Sequence, residues 1–359
     1  MKILAIDTSC DDTCISLTKV KNGKLEILSN IISSQVKLHA KYGGVYPSLA
    51  KREHQKNLPT VLKKALKKAK SASRRTKIDL IGVTTGPGLE PCLWMGVNFA
   101  KELAKKSNLK IIPINHIEAH ILANWLPPIH KIQNPKSKNQ NLFPAICLVI
   151  SGGHTQLILM KEVGKYKILG ETRDDAAGEC FDKVAKILGL GYPGGPAIDA
   201  SAAKARSTNY GNNGSPTSII LPRPMIYQKN YDFSFSGLKT AVLYDFRSRS
   251  PKIRKSKIYI QEMCFETQQA IIDVLIKKTI RAAKNYQAKS IILGGGVAAS
   301  EELRSQFKTK CLTSDVKFLV PPKIFCTDNA AMVGVTAFYH KNKATFNWEK
   351  IEANANLKI

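Results

Sequence analysis

The N-terminus carries a short apolar run that ends in a polar, acidic turn, ILAIDTSCDDTC (residues 3–14), and a second strand-like run continues to Val20. The same design returns at residues 145–160, AICLVISGGHTQLILM, where an apolar run, a polar turn and another apolar run follow one another. Because strand, turn and strand recur about half a chain apart, the sequence predicts two related halves.

Helical patterns alternate with further strand-like runs. Apolar residues recur at helical spacing from 58 to 69, with lysines on the opposite face. Strand-like runs at 78–85, 110–114 and 290–293 each lead into a helical pattern, and the last of these helices is predicted at 297–307. Alternating strands and helices are typical of α/β architecture.

The length of 359 residues fits two domains. We predict an N-terminal lobe at 1–128 and a C-terminal lobe at 143–340, followed by a tail at 341–359. Between the lobes, residues 129–142 are polar and lysine-rich, which predicts a surface loop or domain junction.

The charge balance is strongly basic. Lys and Arg number 55 and Asp and Glu 27, which gives a net charge of +28. Such an excess favours polyanionic partners, nucleic acid above all, although a lysine-rich organism would also produce it. Basic blocks at 63–77 and 247–257 contain no aromatic residues, so we expect them to contact phosphates rather than bases.

The eight cysteines predict a reduced environment, since most lie in apolar stretches and none forms a CxxC pair. No apolar run approaches the roughly 18 residues needed to span a bilayer. We therefore expect a cytoplasmic protein with no membrane partner.

Two histidines share one helix face in His116-Ile117-Glu118-Ala119-His120. The i, i+4 spacing suits a divalent metal, but two surface histidines would show the same spacing. At about 100° per residue, Glu118 points away from both histidines and is not placed as the base of a zinc protease.

A carboxylate could complete this site. Asp328 lies in Phe325-Cys326-Thr327-Asp328-Asn329, just before a helical pattern. Thr327 or Asp328 could simply cap that helix. Alternatively, Asp328 with the two histidines would form a two-His, one-carboxylate site with open positions, a pattern that suits iron.

Three glycine turns, at 151–153, 193–196 and 294–296, could let a nucleotide approach the main chain. None matches a Walker A motif. Acidic residues lie beside loops in the same chain and favour a nucleotide site: Asp11, Asp12, Asp182 and Asp199.

Together these pieces resemble the bacterial TsaD (YgjD, Gcp) family, tRNA adenosine threonylcarbamoyltransferases of the actin/Hsp70/sugar-kinase superfamily. The resemblance runs through nearly the whole chain. Its motifs are IDTSCDDT (6–13), SQVKLHAKYGGVYPSLAKREH (34–54), TGPGL (85–89), NHIEAH (115–120), SGGHTQL (151–157), DDAAGECFDKVAKILGLGYPGGP (174–196), RPM (223–225), DFSFSGLKT (232–240), GGGVA (294–298) and CTDNAAM (326–332).

The resemblance implies two actin-like lobes with a ligand cleft between them. It also implies that His116, His120 and Asp328 hold one divalent metal, usually iron, with zinc as the alternative. The implied substrate and nucleotide site consists of Val149, Ile150, Ser151, Gly152, Gly153, Asp182, Gly195, Asp199 and Ser300.

The implied reaction moves the threonylcarbamoyl group from threonylcarbamoyl-AMP to the N6 amine of adenosine 37 in tRNAs reading ANN codons. Asp11 is the candidate for orienting the amine or taking its proton. The implied protein partners are TsaB-like and TsaE-like proteins. Ser300 departs from the family pattern, which has an asparagine there.

Three other readings belong to different classes. A metallopeptidase would need a base beside the metal, and the direction of Glu118 argues against it. A sugar kinase or ATPase of the same superfamily would not need the histidine pair. A scaffold without catalysis would not need the metal and cleft residues together.

Overall fold

The structure, a computed structural model, describes residues 1–72, 77–127, 142–209 and 219–359. Apart from Leu142, the predicted loop at 129–142 lies outside the described residues. Contacts divide the chain into unit 1, which comprises Met1–Asn141, Glu162–Tyr166 and Pro321–Ile359, and unit 2, which comprises Leu142–Lys161 and Lys167–Val320.

Seven of the ten strands in the described residues lie on predicted runs, whereas those at Lys24–Ser34, Lys165–Glu171 and Lys317–Leu319 have no predicted counterpart. The strands are β1 Lys2–Asp7, β2 Asp12–Lys21, β3 Lys24–Ser34, β4 Leu80–Gly86, β5 Lys110–Asn115, β6 Ala145–Ile150, β7 Thr155–Glu162, β8 Lys165–Glu171, β9 Ser290–Gly294 and β10 Lys317–Leu319.

Each predicted helical pattern overlaps a helix, but the helix that contains the 58–69 pattern begins at Pro47, and the helices Val36–Ala40, Gly194–Asn209 and Pro251–Arg254 have no predicted counterpart. The helices are α1 Val36–Ala40, α2 Pro47–Ala72, α3 Glu90–Ser107, α4 His116–Leu122, α5 Ala177–Leu188, α6 Gly194–Asn209, α7 Ser236–Ser248, α8 Pro251–Arg254, α9 Lys257–Asn285, α10 Glu301–Thr313 and α11 Ala330–Tyr339. None of the helices in the described part of the chain has the length and apolar character to cross a membrane.

Each unit contains a five-stranded mixed sheet. In unit 1 the order is β3-β2-β1-β4-β5, with β1 antiparallel to β2 and parallel to β4. In unit 2 the order is β8-β7-β6-β9-β10, with β6 antiparallel to β7 and parallel to β9. Because the order and the central pairings match, the predicted α/β class and the two related, actin-like halves are confirmed.

The core of unit 1 covers both faces of its sheet, which explains why β1 and β4 are nearly continuous apolar runs. Helices α2 and α3 pack on one side and α11 contacts β1 and β2. Glycines permit the close approach of α11, since a Cβ at Gly82 would lie 2.9 Å from the Cβ of Ala337.

The packing of α11 also changes the division of the chain. The sequence analysis placed 321–340 in the C-terminal lobe and 341–359 in a tail, whereas contacts group Pro321–Ile359 with unit 1. The physical reason is that α11 buries its apolar side chains against the N-terminal strands.

Two helix starts in unit 2 differ from the predicted ones. The sequence pattern predicts a helix at 183–190, and α5 begins six residues earlier, at Ala177. Helix α10 begins at Glu301 rather than 297, because residues Gly296–Ala299 form a 3₁₀ turn and Ser300 caps the α-helix. Ser300 is therefore the N-cap of α10, whereas the predicted helix at 297–307 placed it in the first turn.

Candidate functional site

Helix α4 presents both predicted metal histidines at the carboxyl end of β5. The Asn115 side-chain oxygen accepts hydrogen bonds from the backbone N–H groups of Ile117 (2.9 Å) and Glu118 (3.1 Å), so the helix starts at His116. Such a cap stabilises a helix by about 1 kcal/mol. His116 and His120 are buried, and their rings lie 4.6 Å apart.

Asp328 lies in the turn before α11 and faces the two histidines. Its Oδ1 is 3.5 Å from Nε2 of His116 and 3.3 Å from Nε2 of His120. The cap of α11 is Asn329, whose side chain accepts from the N–H of Met332 at 3.1 Å. The Asp328 carboxylate is therefore not needed as a cap and is available to a ligand.

Asp7 is a fourth member of this cluster that sequence reasoning missed. Its Oδ2 lies 3.2 Å from Nδ1 of His116, and its Oδ1 accepts from the N–H of Ser9 at 2.8 Å. A carboxylate on Nδ1 fixes the tautomer of the ring and leaves Nε2 free to bind. Its place at the end of β1, immediately before the polar turn, was the signal that could have found it.

The charges of this cluster are strongly coupled. Burial lowers the pKa of His116, but the carboxylates of Asp7 and Asp328 outweigh burial and raise that pKa to about 10. Burial lowers the pKa of His120, and the charge of His116 lowers it further. Burial opposes ionisation of Asp328, but the neighbouring imidazoles hold its pKa well below the usual range. The carboxylates thus favour the charged form of His116, and burial favours the neutral form of His120.

These residues fit a divalent metal. His116, His120 and Asp328 each offer one ligand atom, and the three atoms lie within 4.8 Å of one another. His120 is buried, yet neither ring nitrogen has a well-aligned hydrogen-bond partner among the described residues, although Nε2 is close to Asp328. An unsatisfied buried nitrogen costs about 1–3 kcal/mol, and a metal ion would satisfy it. Two histidines and one carboxylate leave coordination positions open, as in non-haem iron sites, and three protein ligands also suit catalytic zinc.

His116, His120 and Asp328 are called here the metal-ligand cluster. Glu118 points away from this cluster, as its helical angle predicted. Its Oε1 accepts from the Tyr166 hydroxyl at 2.8 Å and lies 2.7 Å from Nε2 of His340. His340 follows the last residue of α11, the helix that begins after Asp328. Glu118 therefore joins α4 to the far end of α11, and so connects the helix that carries the two histidines to the helix that follows Asp328.

The turn after β1 carries the catalytic candidate Asp11. Burial raises the pKa of Asp11 and that of Asp12, the latter to about 7. His54 of α2 anchors this turn, since its Nε2 donates to the carbonyl of Cys10 at 2.9 Å and its Nδ1 lies 2.8 Å from the hydroxyl of Thr13. A carbonyl only accepts, so the proton sits on Nε2 and Nδ1 accepts from Thr13.

The corresponding turn in unit 2 exposes glycine. Val149 and Ile150 end β6, Ser151 is half-buried, and Gly152 and Gly153 are exposed. Backbone from two other elements packs closely on this turn: a Cβ at Gly178 would lie 2.5 Å from the Ser151 carbonyl oxygen. A Cβ at Gly295 would lie 2.3 Å from the carbonyl oxygen of Ile150, and the φ of Gly295 is +88°.

The remaining predicted nucleotide residues form two linked pairs in unit 2. The Asp182 carboxylate accepts from the N–H of Gly194 at 2.6 Å, next to Gly195 at the start of α6. The hydroxyl of Ser300 donates to Oδ1 of Asp199 at 2.9 Å, and the side-chain amide of buried Gln268 donates to the same oxygen.

The structure thus sorts the predicted residues into two groups. Unit 1 brings Asp11, His116, His120 and Asp328 near one another, since the charge of Asp328 acts on Asp11. Unit 2 contains the predicted substrate and nucleotide residues, from Val149 to Ser300.

The fold is similar to that of a solved HypF structure from T. kodakarensis, with a TM-score of 0.57 and 13% sequence identity. The match covers 94% of this chain and 48% of the other, so this chain spans about half of the HypF chain. At this identity the similarity concerns the fold alone.

Sequence comparison is more specific. A family model described as TsaD, tRNA N6-adenosine threonylcarbamoyltransferase, matches residues 26–335. The protein of that name from Thermosipho africanus is 43% identical, with 100% of both chains covered. The one from Syntrophomonas wolfei is 44% identical over 96% of this chain and 94% of its own length. The chain therefore belongs to the tRNA N6-adenosine threonylcarbamoyltransferase family.

Proposed function

We propose that this protein transfers the threonylcarbamoyl group from threonylcarbamoyl-AMP to the N6 amine of adenosine 37 in tRNAs that read ANN codons. The observation that carries the proposal is similarity to relatives of that name over the full length of the chain. The metal-ligand cluster and the two polar turns supply groups that the reaction needs.

The reaction joins a weak nucleophile to an activated carbonyl. The adenine N6 attacks the carbamoyl carbon, the bond from that carbon to the phosphate oxygen breaks, AMP departs as an anion and N6 loses a proton. Because the anhydride already provides a good leaving group, the protein must chiefly align the two substrates and remove the proton.

Asp11 is the proposed proton acceptor. Burial raises the pKa of its carboxyl, so its carboxylate is a better base than an exposed one. One of its oxygens, Oδ2, is buried without a hydrogen-bond partner among the described residues. Through Cys10 and Thr13, His54 holds the turn that carries Asp11 in place.

One divalent metal per chain, iron(II) or alternatively zinc, is proposed for His116, His120 and Asp328. When bound, it would supply a Lewis acid that polarises a carbonyl or phosphoryl oxygen. Asp7 keeps Nε2 of His116 available by holding its Nδ1.

Unit 2 is proposed to bind the adenylate part of the substrate. The exposed glycines 152 and 153 allow close approach to the main chain, beside Val149, Ile150 and Ser151. Asp182, Gly195, Asp199 and Ser300 are proposed nucleotide contacts. TsaB-like and TsaE-like partners and a cytoplasmic location are also part of the proposal.

A metallopeptidase is less well supported. Its catalytic base would have to stand beside the metal, whereas Glu118 is engaged by Tyr166 and His340 on the opposite face of α4.

The decisive experiment supplies purified protein with synthetic threonylcarbamoyl-AMP, unmodified tRNA reading ANN codons and the TsaB-like and TsaE-like proteins. Nucleoside mass spectrometry should then detect threonylcarbamoyladenosine, and Asp11→Asn should reduce the initial rate about 100-fold or more, as expected for loss of a general base. Asp79→Asn, an exposed carboxylate of the same unit, is the control. No modified nucleoside with the wild-type protein would refute the function, and a wild-type rate for Asp11→Asn would refute the role of Asp11.

A further inference from the structure

A second feature of unit 2 shares no residue with the predicted nucleotide site, although both include residues of α5. A cavity of about 540 Å³ is formed between the end of α5 and the α7–α8–α9 segment. Its size falls in the range of ligand pockets. The cavity, called here the α5–α8 pocket, is lined by Lys186, Ile187, Leu188, Gly189, Phe246, Pro251, Arg254, Lys255 and Ile260.

The lining is apolar and cationic, with no carboxylate. Arg254 is held by the carbonyls of Arg247 and Arg249 and lies 5.4 Å from the centre of the Phe246 ring. Lys186 and Lys255 are exposed, and neither forms an ion pair with another described residue. The pocket therefore presents uncompensated positive charge above an apolar surface.

Asp245, an acidic residue of the α7–α8–α9 segment, is already engaged by other side chains of that segment. Asp245 accepts from Arg249 at 2.8 Å and from the Tyr259 hydroxyl at 2.8 Å. Within the basic block at 247–257, Arg249 and Arg254 thus serve the local structure. The cations left over are Arg247, Lys252, Lys255 and Lys257, all exposed and without an ion-pair partner in the described part of the chain.

A row of free cations beside an apolar pocket has the chemistry that single-stranded RNA requires. Phosphates bind Lys and Arg, while an unstacked base is buried against apolar, aromatic or guanidinium groups. A small anion would need only one or two of these cations, and an apolar peptide would need none. The sequence analysis expected phosphate contacts alone, because it could not place Phe246 and the α5 apolar residues beside this block.

We propose that the α5–α8 pocket binds a single-stranded segment of tRNA, with one base against the apolar lining and the flanking phosphates on Lys186 and Lys255. This inference rests on the proposed function, which makes tRNA the acceptor. It assigns a binding role to a surface outside the metal-ligand cluster.

The test measures binding of an unmodified tRNA transcript to the full-length protein by fluorescence anisotropy at several KCl concentrations. The double variant Lys186→Glu/Lys255→Glu should bind at least tenfold more weakly than the wild type. Its plot of log affinity against log salt should be shallower by about 1.4–1.8, which is 0.7–0.9 for each lost phosphate contact. The matched control is Lys308→Glu/Lys310→Glu, an equal charge change at exposed positions of α10 in the same unit.

A second variant tests the base. Ile187→Trp fills the pocket without changing charge, so it should weaken tRNA binding several-fold and leave the salt dependence unchanged. Wild-type affinity for Ile187→Trp would overturn base insertion, and equal affinities for the two double variants would overturn the pocket as a tRNA site.

The outcomes separate this inference from the proposed function. A wild-type protein that modifies tRNA while the pocket variants bind normally refutes the pocket alone. A wild-type protein that binds tRNA through the pocket but forms no threonylcarbamoyladenosine refutes the proposed function and leaves the pocket standing.

Discussion

The polar turn after β1 in unit 1 and the polar turn after β6 in unit 2 make similar backbone contacts but differ in their side chains. The Ser9 carbonyl accepts from the N–H of Leu89 at 2.8 Å, and the Ser151 carbonyl accepts from that of Gly178 at 3.2 Å. In each case a glycine is required, because a Cβ at Gly88 or at Gly178 would lie 2.5 Å from the carbonyl oxygen that it faces.

The side chains of the two turns differ. The first turn is acidic and lies beside the helix that carries the two histidines, with Asp7 on His116 and Asp11 half-buried nearby. The second offers exposed Gly152 and Gly153. The same kind of turn therefore carries charged side chains in unit 1 and an accessible stretch of main chain in unit 2. Substitutions in unit 1 should change metal content, and those in unit 2 should change nucleotide affinity.

The largest effect is expected in the metal-ligand cluster. His116→Ala and His120→Ala should each remove bound metal and nearly all transfer activity, since each removes one of three ligands. Their stabilities should differ. His116 lies between Asp7 and Asp328, so its loss leaves the buried Asp7 carboxylate without its ion-pair partner and should lower the free energy of unfolding by about 3 kcal/mol.

His120 lacks a well-aligned hydrogen bond in the described structure, so His120→Ala should cost less stability than His116→Ala. Elemental analysis and urea unfolding of the two purified variants measure both effects. Full metal occupancy in either variant would exclude that histidine as a ligand, and equal stability losses would contradict the buried ion pairs.

A smaller effect is expected from Glu118, which lies on the face of α4 opposite the two histidines. Glu118→Ala should weaken metal binding about 10- to 100-fold, as loss of an orienting contact does in other metal sites, because α4 loses its tie to Tyr166 and His340. Glu118→Gln keeps an acceptor oxygen and should restore most of the affinity. Competition with a chelator measures the affinity, and circular dichroism confirms the fold. Wild-type metal affinity in Glu118→Ala would show that α4 is held by packing alone.

The sequence could predict the arrangement of the unit 1 histidines because it depends on local spacing. Two histidines four residues apart must share a helix face, and Glu118 between them must point elsewhere. The sequence did not decide between a capping and a ligating role for Asp328, since both require a carboxylate just before a helix. The structure excludes the capping role because Asn329 provides the cap.

Contacts between distant segments could not be predicted. Asp7 meets His116, and His340 meets Glu118, only after β1, α4 and α11 pack together. The motif DFSFSGLKT gave no role from its spacing, yet the Asp174 carboxylate accepts from Ser234 at 2.5 Å and from the N–H of Phe235 at 2.8 Å. That motif is fixed to the loop before α5, a role visible only in three dimensions.

The smallest effect is expected in unit 2, at the residue that departs from the family pattern. Ser300 caps α10 by accepting from the N–H of Leu303 at 3.4 Å, and it donates to Asp199 at 2.9 Å. Asparagine caps a helix as well as serine does, so Ser300→Asn should change the free energy of unfolding by less than about 0.5 kcal/mol. Ser300→Ala removes the cap and the donor to Asp199, and should cost about 1 kcal/mol.

Nucleotide affinity should distinguish the two Ser300 variants more clearly than stability does. Asparagine keeps a donor for Asp199 and extends a further polar group on a longer arm, so Ser300→Asn should tighten binding by up to about tenfold, the value of one net hydrogen bond of roughly 1 kcal/mol. Ser300→Ala should weaken it, because Asp199 is then held by Gln268 alone. Calorimetric titration with a nonhydrolysable nucleotide measures both. Weaker binding by Ser300→Asn, at unchanged stability, would show that Asp199 and Gln268 are arranged around the shorter serine and that position 300 has diverged from the family's nucleotide contact.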